Sequence, residues 1–163
     1  MSRRVWTIRA LTLLIVGWHL SGCAAREQAT VSLSEALWNS QGRLDADAHQ
    51  VLIFWADWCP NCRSHRDEYL EIHERCQELG TQLWIVSVDD SVDPIAEWAE
   101  GTPLQVSWDF HGMLQREIGV PALPYYAILN PNGTVQRSGT LRDPDYLLAL
   151  LDEIRTQPQT PGE

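Results

Sequence analysis

The sequence predicts an α/β fold with a central mixed sheet of about four to five strands flanked by helices. Three observations predict it. Apolar runs rich in β-branched and aromatic residues, at 51–56, 82–88 and 125–129, have the length of strands. A segment with three- and four-residue apolar spacing separates the first two runs, which makes them a parallel pair joined by a crossover helix. The short turn Asn130-Pro131-Asn132-Gly133 joins the third run to 134–138, which makes those two an antiparallel hairpin.

The elements follow in order. Residues 1–22 read as a targeting segment: Arg3 and Arg4 lead an apolar run at 10–17, extended by Trp18 and Leu20. The run is shorter than the ~20 residues that cross a bilayer, so a signal peptide is expected rather than a transmembrane anchor. Residues 23–32 form a tether. Ser32 or Ser34 can cap a short helix reaching Trp38 and Asn39. Residues 41–47 are a polar connection. The run at 51–56 is almost continuously apolar, as in a central strand covered on both faces.

Pro60 stands early in the next helix, where its missing N–H costs little. Tyr69, Ile72, Cys76 and Leu79 make a core stripe along that helix, and Gly80 ends it. After the strand at 82–88, Asp89-Asp90-Ser91 turns the chain. Ser91 or Asp93 can cap a helix from Pro94 to about 100, with Ile95 and Trp98 inward. A short extended piece at 106–108 leads to a short helix at 110–118, closed by Gly119. The helix at 143–155 carries Tyr146, Leu147, Leu150, Leu151 and Ile154 on its apolar face. One domain, 33–155, and a polar tail, 156–163, account for the rest; there is no internal repeat.

Charge narrows the function classes. All 12 basic residues are arginines, against 22 acids, a net −10. Without Arg3, Arg4 and Arg9 the balance is 9 against 22, or −13. Nucleic-acid affinity comes largely from basic side chains neutralising phosphates, so a nucleic-acid partner is not expected. Electrostatic adhesion to anionic lipid is disfavoured for the same reason.

The chemistry centres on Cys59 and Cys62. Two thiols at this spacing can close a small disulfide ring or hold one metal ion. Cys59 falls where a strand meets a helix. There the free N–H groups of the first turn and the helix dipole favour a thiolate. Cys59 is therefore the expected nucleophile and Cys62, one turn on, the resolving thiol. Arg63, His65 and Arg66 would favour the thiolate if close, and Asp57 would oppose it. A zinc site lacks a second ligand pair at the usual spacing, whereas a Cu(I) ion between two thiolates stays open. Cys76 lies on the core stripe, and Trp58 belongs to an exposed docking rim.

Two motifs carry a family resemblance. Trp58-Cys59-Pro60-Asn61-Cys62 after Phe54-Trp55-Ala56-Asp57 resembles the active site of the thioredoxin superfamily. Leu123-Pro124-Tyr125-Tyr126-Ala127-Ile128-Leu129, followed by the 130–133 turn, resembles the second hallmark of its membrane-anchored TlpA/ResA branch. The resemblance covers about 33–155 and implies a thioredoxin-like fold. It implies a cis-proline at Pro124 rather than Pro121, beside the sulfurs. It also implies that Leu123 offers backbone groups to an extended substrate.

The resemblance further implies an extracytoplasmic thiol–disulfide oxidoreductase that reduces protein disulfides, with cytochrome c maturation as one setting. Its working group is the Cys59–Cys62 disulfide, without a separate cofactor or metal, recharged by a membrane thiol-relay donor. A disulfide-forming oxidase on the same fold and a dithiol copper chaperone are the alternatives. A peroxidase of the peroxiredoxin type is not expected, because Cys59 lacks the flanking Thr and Pro of such sites.

Leu20-Ser21-Gly22-Cys23 resembles the lipobox of bacterial lipoproteins, which implies a lipidated Cys23 at the mature N-terminus in the cell envelope. Ala24 stands where Asp would resemble the inner-membrane retention signal, so the inner leaflet of the outer membrane is favoured. The chain also departs from its family. Ile53 stands six residues before Cys59, where thioredoxins carry a buried Asp. His65 stands three residues after Cys62, where the TlpA/ResA branch often has Glu. His65 is then the candidate proton shuttle, with Asp57 and Glu68 as weaker ones.

Overall fold

Strand β2 (Gln50–Trp55) is buried along its whole length, as an unbroken apolar run requires of a strand covered on both faces. In the computed structural model, which describes residues 37–38 and 47–156, this strand is the centre of the molecule. It is flanked by β3 (Gln82–Ser87) in parallel and by β5 (Tyr125–Leu129) in antiparallel pairing. Ile53 lies between Ile85 on one side and Tyr126 on the other. β4 (Gln105–Asp109) runs parallel to β3, and β6 (Val135–Thr140) antiparallel to β5.

These five strands form the mixed sheet that the sequence predicts. A two-residue strand β1 (Leu37–Trp38) extends it, giving the order β1-β4-β3-β2-β5-β6. β2, β3 and β4 are parallel, so their C-terminal ends share one edge of the sheet. β5 is reversed, so its N-terminal end comes to that same edge. The strand-to-helix junction at Cys59 and the Leu123-Pro124 pair are brought together in this way.

Side-chain alternation along β2 divides the core. Val51, Ile53 and Trp55 pack with both active-site cysteines, Tyr69, Ile72, Cys76 and the leucines of the last helix. Leu52 and Phe54 face the other layer with Trp84, Val86, Leu114 and Ala127. Each large side chain buried in this way stabilises the fold by about 1.5–3 kcal/mol. The helices are α1 (Pro60–Ser64), α2 (Arg66–Glu78), α3 (Asp93–Trp98), α4 (Met113–Ile118) and α5 (Pro144–Thr156), with a 3₁₀ turn at Phe110–Gly112.

Four local expectations change. The helix expected through Trp38 is not formed there: Leu37 and Trp38 pair antiparallel with Asp109 and Trp108 of β4. An open sheet edge offers unpaired backbone groups, and pairing with it outweighs a local capping signal. The remaining residues of that expected helix lie outside the described ones, as do the targeting segment, Cys23, the tether and the tail beyond 156. The helix expected from Pro60 to Gly80 is broken at His65 (φ −97°, ψ 25°) into α1 and α2. The piece expected at 106–108 is a full sheet strand, β4, because it lies beside β3. Finally, α3 starts from Val92 without a side-chain cap, so neither Ser91 nor Asp93 takes that role.

Candidate active site

The site begins where β2 stops. The Val88 N–H donates to the Trp55 carbonyl (2.9 Å), the last rung of the β2–β3 ladder. The chain then turns through Ala56, Asp57 and Trp58, and the Cys59 N–H donates back to the Ala56 carbonyl (3.1 Å). Cys59 is the N-cap of α1, with extended backbone angles and Pro60 directly inside the helix. Its sulfur accepts from the Cys62 N–H at 3.3 Å. A cap normally satisfies the first-turn N–H groups with oxygen. Here a sulfur takes that place, and the same donor would hold a thiolate once the pair is reduced.

Cys59 and Cys62 are joined as a disulfide, with Cα atoms 5.3 Å apart. Their environments differ. Cys59 is 6% exposed and Cys62 fully buried. Cys59, at the helix start, keeps slight exposure, whereas Cys62, one turn on, has none. Pro60 and Asn61 between them are exposed. Trp58 is 67% exposed.

The Leu123–Pro124 peptide is cis. Pro124 is buried and its carbonyl accepts the Leu141 N–H at 2.8 Å. Leu123 is half-buried and packs against the cluster that contains both cysteines.

The charged groups sort differently from the simplest expectation. Arg63 pairs with Asp57 (3.6 Å), so each weakens the other's field at the sulfurs. Arg66 turns to α3: its guanidinium donates to the Glu100 carbonyl (3.2 Å) and lies 5.8 Å over the Trp98 ring. Position 53 is wholly apolar, since Ile53 is fully buried between Ile85 and Tyr126. His65 sits at the α1–α2 break with its Nδ1 3.3 Å from the Glu68 carboxylate. Cys76 is fully buried, and burial pushes its thiol up to about 12, so it stays protonated and apart from exchange chemistry.

Sequence reasoning missed the group that holds the loop before Cys59. Asp89 was legible only as part of a turn. Its carboxylate accepts the Asp57 N–H at 3.0 and 3.2 Å and the Ser87 hydroxyl at 2.9 Å. Beside this loop an open cleft of about 830 Å³ is lined by Asp57, Arg66, Asp93, Glu97 and Trp98, among others. The cysteines do not line it. Among the described residues, no group of three or more His, Cys, Asp or Glu side chains could hold a metal ion. Among the same residues, no helix is long and apolar enough to cross a membrane.

With fold and site in view, comparison with known proteins assigns the class. The sequence profile of the thioredoxin-like domain family matches residues 44–155, and the chain belongs to that family. It is 28% identical over 89 residues to the thiol:disulfide interchange protein DsbE of Vibrio cholerae serotype O1, an alignment covering 53% of this chain and 46% of that one. The chain spans less than half the length of the curated relatives it matches. Among solved structures, MTB DsbF superposes with a TM-score of 0.57 at 25% identity, covering 66% of this chain and 81% of that one. The exposed lipoprotein thioredoxin Etrx1 of Streptococcus pneumoniae gives 0.57 at 23% identity, covering 66% and 86%.

Proposed function

We propose that this protein is a lipid-anchored, extracytoplasmic thiol–disulfide oxidoreductase that reduces disulfides in polypeptides. The observation that carries the reading is the Cys59–Cys62 disulfide at a helix start: Cys59 is the N-cap and keeps slight exposure, and Cys62, a turn behind it, is fully buried. The name of the Vibrio relative supports interchange chemistry, and that of the pneumococcal relative supports a lipoprotein in the envelope.

In the reduced enzyme the Cys59 thiolate attacks one sulfur of a substrate disulfide. That S–S bond breaks, a Cys59–substrate bond forms, and the departing substrate sulfur takes a proton. Cys62 loses its proton and attacks the Cys59 sulfur. The Cys59–Cys62 disulfide forms and the second substrate thiol leaves. The substrate has gained two electrons and two protons. A membrane thiol-relay protein then reduces the pair. No acid stands at Ile53, so the His65–Glu68 pair is the candidate acceptor for the Cys62 proton. The setting we favour is cytochrome c maturation, where haem-attachment cysteines must be kept reduced, with the chain tethered through Cys23 to the inner leaflet of the outer membrane.

Three variants test this reading. Cys59→Ser abolishes insulin-disulfide reduction. Cys62→Ser accumulates mixed disulfides, and an apocytochrome among the trapped partners supports the setting. Cys23→Ser moves the protein from the membrane to the soluble fraction. Retained reductase activity in Cys59→Ser would overturn the assignment, and stoichiometric Cu(I) retention without reductase activity would replace it with a copper chaperone. A potential of the pair near −270 mV fits a reductant, and one near −120 mV an oxidant.

A further inference from the structure

The peptide unit between Ala56 and Asp57 is held at both ends. Its carbonyl accepts the N–H of Cys59 at 3.1 Å. Its N–H donates to both oxygens of the Asp89 carboxylate, at 3.0 and 3.2 Å. Asp89 is itself fixed from three directions. The fully buried Ser87 donates its hydroxyl to the carboxylate (2.9 Å) and accepts the Asp89 N–H (3.2 Å). Trp108, on the next strand, donates its indole N–H to the Asp89 carbonyl at 2.8 Å. The route from β3 and β4 to the nucleophile is therefore short: carboxylate, one peptide plane, then the backbone nitrogen of Cys59.

This arrangement has a physical consequence. An acceptor held by its own hydrogen bonds fixes the orientation of the peptide N–H that it receives, here at 3.0 and 3.2 Å. Donation at one end of a peptide raises the negative partial charge on its carbonyl, which strengthens the bond from Cys59. The rotation of that plane decides where the α1 N-cap begins. It thereby decides whether the Cys62 N–H points at the Cys59 sulfur, as it does here at 3.3 Å.

We propose that Asp89, seated by Ser87 and Trp108, is a positioning residue for the nucleophile: it locks the Ala56–Asp57 peptide and so aims the first-turn amide of α1 at the Cys59 sulfur. It acts as a hydrogen-bond acceptor rather than through its charge. An Asn side chain preserves the acceptor. Its Oδ1 takes the Asp57 N–H, and its amide group turns to the Ser87 hydroxyl, which can accept as well as donate. An Ala side chain does neither.

The test compares Asp89→Ala, Asp89→Asn and Ser87→Ala in the full chain. Two readouts are used: kcat/KM for insulin-disulfide reduction, and the pH midpoint for alkylation of reduced Cys59. Asp89→Ala lowers kcat/KM by about tenfold or more, as a small misplacement of a reacting atom does, and moves the alkylation midpoint upward. Asp89→Asn restores both to within about threefold of wild type. Ser87→Ala falls between the two and decides the matter if Asp89→Ala does not fold. Wild-type midpoints in Asp89→Ala, or in Ser87→Ala when it stands alone, would overturn the proposal. So would an Asp89→Asn variant as impaired as Asp89→Ala, because charge would then be the property that acts.

Discussion

His65 is the side chain we propose for the acid–base role that position 53 does not fill. The acid that thioredoxins carry on the central strand is absent, and Ile53 fills that position inside a wholly apolar layer. The imidazole at the α1–α2 break, held by Glu68, is reached from the other side of Cys62 along the chain. If it accepts the resolving proton, His65→Ala slows release of the mixed disulfide by about tenfold or more. Stopped-flow measurement of substrate release checks this, and an unchanged rate would return His65 to a purely structural role. The residue scale also shows what spacing alone could and could not reveal. Cys59 and Cys62 were legible because their function depends on a short local interval. Asp89 was not, because its partner, Asp57, is far along the chain and its type fits an ordinary turn.

Among the elements, α1 and α2 illustrate the limit of periodicity. The apolar stripe of Tyr69, Ile72 and Cys76 lies within α2, and no Gly or Pro between Cys62 and Tyr69 marks a boundary, so the pattern reads as one helix from Pro60. The break at His65 leaves that stripe intact and changes only the direction of the first turn. β4 illustrates the converse: three extended residues become five through pairing with β3. Gly119 closes α4 in the left-handed region (φ 75°, ψ 49°), with its N–H on the Gln115 carbonyl at 3.0 Å. A Cβ there would meet no atom within 4 Å. The cost of Gly119→Ala is then conformational alone, about 1–2 kcal/mol. Urea unfolding measures it; a change below a few tenths would show that the helix end adjusts freely.

The whole molecule responds to pH through groups the reaction does not use. His73 is 6% exposed and neither ring nitrogen has a hydrogen-bond partner. Burial lowers its pKa below the usual 6.5. As pH falls the unfolded chain takes the proton first. The contribution of His73 is therefore complete above about 6.5 and is lost as pH falls toward the folded value. Asp109 behaves oppositely. Burial raises its carboxyl above 3.8, although backbone N–H donors of α4 offset part of the effect. Its contribution is complete below 3.8 and is lost as pH rises through the raised value. Urea titrations at pH 8, 7, 6 and 5 should show stability falling below neutrality in the wild type and less steeply in His73→Leu. Equal slopes in the two proteins would exclude His73 as the cause.

The sequence by itself determined the α/β class, four of the five main strands, the core stripes and the redox pair. All of these rest on intervals of a few residues, where periodicity and spacing act. Pro124 was placed by resemblance, and the structure shows its peptide bond in the cis form. Only the tertiary structure decided the β1 pairing with β4, the break at His65, the turning of Arg66 toward α3 and the clamp of Asp89 on the loop before Cys59. Each depends on groups that the sheet order brings together from distant parts of the chain, and no local pattern records such a meeting.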